Sequence, residues 1–147
     1  MIYILEELEQ QYSQTPSTSK SIEETRNEIL YAQKISENQR ILVKDSLNIE
    51  QEELTSLQER ILDGYDFAMN QLINTLTESN YVEISRLIRF LRNKLQINMW
   101  IVESEKRKLY FKNIEMNNLP KENSLFVEIF FVQKFEEITG KKLIKKN

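Results

Sequence analysis

Apolar residues return every three or four positions through most of this chain, the spacing that gathers them on one face of a helix. Ile4, Leu5 and Leu8 predict a short first helix over 2–12. Sparser apolar positions, Ile22, Ile29, Leu30, Ile35 and Leu42, predict a second over 22–44, solvated except along one narrow stripe. Ser21 followed by Glu24 is a capping-box pattern that starts it. Between these two, Pro16 among hydroxyl residues predicts an exposed, mobile loop over 13–20. A break is expected at 45–48, with Asn48 and Gln51 as the next cap. Leu54, Leu57, Ile61, Phe67 or Ala68, Leu72 and Leu76 then mark a third helical stretch. Gly64 in its middle leaves one helix or two as open alternatives.

The most regular pattern predicts a long central helix over 81–113. One seam holds Ile84, Ile88, Leu91, Leu95, Met99, Val102 and Leu109, and a second holds Leu87, Phe90, Ile97, Trp100 and Ile101. Two adjoining apolar faces call for neighbours on two sides. The polar run 113–123 ends this helix, with Pro120 as punctuation. A last helix is expected over 124–139, capped by Ser124 and ended by Gly140, with a basic tail at 141–147. It carries four of the chain's seven phenylalanines, Phe126, Phe130, Phe131 and Phe135, among Leu125, Val127, Ile129 and Val132. Apolar side chains all round a helix exceed what a small monomer readily buries, so these phenylalanines and Trp100 become candidate protein-interface residues. A strand over 125–131 is the alternative.

With two glycines and two prolines in 147 residues, turns are few and elements long, which supports an all-α single helical bundle. The chain contains no cysteine and no histidine. That excludes disulfides, thiolate chemistry, histidine acid–base catalysis and the usual zinc sites. The two glycines are isolated, which excludes phosphate-cradling loops. Adjacent glutamates such as Glu52 with Glu53, or Glu103 with Glu105, lack the unequal surroundings that acid–base work requires and read as solvated faces. No catalytic residue, cofactor or metal is expected, and the protein reads as a non-enzyme.

Residues 1–63 hold 13 acids against 6 bases, and residues 64–147 hold 10 acids against 14 bases. Such polarity suits docking between subunits. Arg86, Arg89, Lys106, Arg107 and Lys108 are candidate nucleic-acid contacts, weak or indirect. No apolar run reaches the ~20 residues that cross a bilayer, and no basic leader opens the chain, so an intracellular protein without membrane contact is expected.

The run 83–103, EISRLIRFLRNKLQINMWIVE, places Glu83, then Arg86 with Leu87, then Leu91, Leu95 and Met99, and closes on Val102 and Glu103. This spacing resembles the central helix of GINS subunits, and with the helix that follows it the resemblance extends over about residues 50–139. Gln96, Asn98 and Ile101 stand where that family frequently has basic residues. The resemblance implies an archaeal-type subunit with the helical domain only. It further implies a scaffold in DNA replication, linking the MCM helicase to a Cdc45/RecJ-like partner in a hetero-oligomer. The alternative is a standalone helical dimeric regulator, viral for example, that captures a protein or a DNA-bound partner.

Overall fold

The computed structural model describes residues 2–45, 52–111 and 119–143. They form five helices and, among the described residues, no strand: α1 (Ile2–Ser13), α2 (Ile22–Asp45), α3 (Glu52–Thr75), α4 (Tyr81–Phe111) and α5 (Leu119–Thr139). Ser21 caps α2 as its sequence predicts, its hydroxyl accepting the Glu24 amide at 3.1 Å. The Glu24 carboxylate reaches back to the Lys20 amide at 2.6 Å. Gly64 does not interrupt α3, which is one helix. The turn into α4 is organised by Asn80, whose amide donates to the Thr75 carbonyl at 2.9 Å and accepts the Thr77 amide at 2.8 Å. So short a connection leaves α3 and α4 antiparallel neighbours.

α5 begins at Leu119, ahead of the expected Ser124 cap. Pro120 therefore sits in its first turn, where the missing N–H costs nothing, and opens the helix rather than punctuating the loop before it. Gly140 closes α5 with φ 69°, its amide donating to the Glu136 carbonyl at 2.9 Å. The expected cap at Asn48 and Gln51 and the end of the basic tail lie outside the described residues.

α4 packs against all four other helices. Its first seam is buried from Ile84 through Val102, while in the second, among the described residues, Leu87 and Phe90 are buried and Ile97 and Trp100 are not. The reason is length: α1 has 12 residues and covers only the first half of α4, so Ile97 and Trp100 stay exposed. α2 departs further from expectation, because the residues it buries are Thr25, Ile29, Ala32, Ser36 and Val43, whereas Leu30 and Leu42 face solvent. Small side chains bring α2 close to α3, and polar bonds fix the pair. Arg40 lies 2.8 Å from both Asp63 and Asp66, Ser36 donates to Asp66 at 2.5 Å, and Gln33 donates to Asn70 at 2.9 Å.

The segment between α1 and α2 makes contacts to α2 and α4. Thr18 accepts the Arg89 guanidinium, and Ser19 donates to Glu28. Glu28 also accepts the hydroxyl of fully buried Ser85 at 3.1 Å and lies 3.7 Å from Arg89. One carboxylate on α2 thus joins this segment to α4.

All four phenylalanines of α5 are buried within the chain. At about 100° per residue their spacing of four, one and four confines them to roughly half the helix circumference, which faces α1, α3 and α4. The shorter Leu125 and Ile129 take the opposite side and are exposed. The expectation that these phenylalanines form a protein interface is corrected: Phe126, Phe130, Phe131 and Phe135 belong to the chain's own core. α1 supplies the cover: Tyr12 meets Phe90 and Phe130 edge-on, each at 5.7 Å between centroids, and Phe90 lies 5.0 Å from Phe130. Lys134 sits over the Tyr12 and Phe130 rings at 5.1 and 5.4 Å and pairs with Glu9 at 2.6 Å and Glu137 at 3.0 Å. Burial alone pulls this lysine down, but the two glutamates outweigh it and hold it above its ordinary value.

Candidate protein-binding groove

Gly64 gives α3 a bare patch, and there α3 and α5 draw together. A Cβ built on Gly64 would lie 3.3 Å from the Glu128 carboxylate. Around this approach the two helices leave a groove of about 630 Å³, floored by Leu91, Leu95 and Asn98 of α4. Ile61, Ala68 and the exposed ring of Phe67 line it from α3, and Val127, Phe131 and Val132 from α5. Arg60 and Gln71 stand at the two ends of its α3 wall, eleven residues or about 16 Å apart. That is three helical turns. Asp63 and Glu128 give its rim charge, and Leu125 and Ile129 add exposed apolar surface on α5.

The residues singled out from sequence are distributed differently. Phe131 alone of the four phenylalanines lines the groove. Trp100 is 65% exposed on α4 and remains available as a contact, with Ile97 beside it at helical spacing. Arg86 and Arg89 both have partners within the chain. Arg86 lies over the Tyr12 ring at 5.7 Å and 3.8 Å from Glu83, and Arg89 is held by Glu28 and Thr18. Lys106, Arg107 and Lys108 lie on the last turns of α4, with side chains outside the described part of the structure.

Within the lining, Tyr65 buries its hydroxyl, and it makes no hydrogen bond among the described residues. Burial, opposed by Arg92 and reinforced by Asp66, pushes its phenol above the ordinary range. Tyr12 is raised as well, by burial and by the Glu83 carboxylate that its hydroxyl meets at 3.2 Å. An unfolded tyrosine ionises near pH ~10 while these two keep their protons, so their contribution to stability is complete below about pH 10 and is lost as pH rises toward the folded values. Tyr65→Phe should therefore cost less than about 1 kcal/mol at pH 7 and flatten the alkaline loss of stability. Urea unfolding at pH 7 and pH 10.5 checks both.

Among the described residues no three His, Cys, Asp or Glu side chains come together to hold a metal ion, and no helix is long and apolar enough to cross a membrane. The groove is mostly apolar, with Asn98 on its floor and charge at its rim, a lining that selects for shape and apolar surface. Comparison with protein-family models, with curated proteins and with solved structures found no match to this chain.

Proposed function

We propose that this protein is a non-catalytic helical interaction subunit whose α3–α5 groove receives an amphipathic helix from another protein. The observation that carries this reading is the groove itself, whose α3 wall runs for three turns, with an exposed phenylalanine on that wall and leucines on its floor. An incoming helix would bury residues at i, i+3 or i+4, and i+7 there. A small enclosed ligand would leave most of that length uncovered. A hetero-oligomeric assembly within the cell is the natural setting, and a GINS-type replication scaffold is one assembly of this kind. The ladder Leu91, Leu95, Met99 and Val102 that carries that resemblance is buried core here, where any central bundle helix would place it.

The test is Phe67→Glu, a change at a half-exposed position that leaves the core intact. Affinity capture from the native source should recover a stoichiometric partner with the unmodified chain. With Phe67→Glu, binding should weaken about 30-fold or more, the loss typical of an interface anchor. Undiminished recovery of the same partner would exclude the groove.

A further inference from the structure

The groove between α3 and α5 holds two polar groups that the chain itself leaves without partners. Asn98 is 5% exposed and lines the groove floor. Among the described residues its amide makes no hydrogen bond. Glu128 is half-buried at the α5 rim, and its carboxylate lies across the bare backbone of Gly64, where a Cβ would stand 3.3 Å away. No basic side chain pairs with it among the described residues. The other acid of the lining, Asp63, is already paired with Arg40 at 2.8 Å. Arg60 stands at one end of the α3 wall, about one turn of α3 from Gly64.

While the groove is open, water can satisfy both unpartnered groups. A helix laid along it displaces that water, and a wholly apolar face would seal a carboxylate and an amide away with nothing to satisfy them. The cost falls away when the arriving helix brings a donor of its own. A lysine or arginine supplies several N–H donors and the charge that Glu128 lacks opposite it, and the Asn98 carbonyl oxygen offers the same cation a second acceptor. An acid in that place would meet Glu128 as a like charge. Arg60 limits the positive charge in turn, because a helix basic along its whole length would meet it at the end of the wall. Given that the groove receives a helix, as proposed above, we infer that this helix carries one basic residue in the middle of its apolar face, which pairs with Glu128 over Gly64 and closes on Asn98. The groove thereby selects against a purely apolar helix as well as for a matching one.

Three synthetic helices test this against the full chain by fluorescence anisotropy. Each has about 15 residues, leucines at i, i+4 and i+7, and at i+3 among them lysine, norleucine or glutamate. The lysine peptide should bind about 10-fold or more tightly than the norleucine peptide, the gain of a charge-assisted hydrogen bond, and the glutamate peptide should bind weakest. Glu128→Gln should erase the lysine preference, Glu128→Lys should pass it to the glutamate peptide, and Asn98→Leu should narrow it by favouring norleucine. Glu128 has no internal partner to lose among the described residues, so both Glu128 variants should unfold at the temperature of the unmodified chain. Norleucine and lysine peptides of equal affinity, both weakened by Phe67→Ala, would overturn the basic residue and leave the groove a helix site. A lysine preference that survives Glu128→Gln would overturn it too. Binding of no peptide, or binding that Phe67→Ala leaves unchanged, would count against the groove itself and overturn both.

Discussion

Phe130→Ala is expected to destabilise the fold by about 3–5 kcal/mol, the range for removing a fully buried aromatic side chain. Phe130 is 1% exposed and packs on Tyr12, on Phe90 and under the Lys134 ammonium, so its loss opens a cavity where α1, α4 and α5 meet. Among its neighbours the Tyr12 ring is held by Glu83 and the Lys134 ammonium by Glu9 and Glu137, which leaves them little freedom to close the gap. A domain of this size is stable by about 5–15 kcal/mol, so the variant would sit near the unfolding threshold at 37 °C. Thermal and urea unfolding followed by circular dichroism give the answer. A loss below 1 kcal/mol, with partner binding abolished instead, would move Phe130 from the core to an interface.

Glu28→Ala should be the next most damaging change, at about 2–4 kcal/mol. Its carboxylate accepts from Ser19 and Ser85 and pairs with Arg89, tying three parts of the chain together. Hydrogen bonds to a charged group contribute about 1.5–3 kcal/mol, and the Ser85 hydroxyl would be left buried without its acceptor. The control is Glu23→Ala on the same helix, whose carboxylate is exposed and, among the described residues, paired with Arg26. That pair should contribute less than 1 kcal/mol. Equal effects of the two substitutions in urea unfolding would refute the role given to Glu28. Hydrogen exchange adds a second readout, since amides of 14–20 should lose protection first in Glu28→Ala.

The helices themselves were legible because period and punctuation agreed. The ladder from Ile84 to Val102 is regular enough to set both the element and its buried face, and Ser21 and Gly140 act where their chemistry predicts. The direction of the α5 phenylalanines was also encoded, in their four-one-four spacing, but a count of apolar residues around the helix concealed it. On α2 the same counting failed for another reason. Close helix packing selects small residues, so Ala32 and Ser36 are buried while Leu30 and Leu42 are not. The groove was hardest to foresee, because its walls and floor come from three helices distant in sequence. Gly64 was its local sign, and within a helical pattern a glycine reads first as a kink. For Arg86 and Arg89 the sequence shows charge but not the internal partners that neutralise it.

The proposed function requires a partner helix lying along the groove. Photo-cross-linking from Arg60 and from Gln71, each replaced in turn by a photoreactive residue in the native source, addresses this directly. Both sites should capture the same protein, through residues about eleven positions apart in its sequence, as a helix laid along three turns requires. Capture of unrelated proteins, capture through a single residue from both ends, or no capture at either site would contradict it.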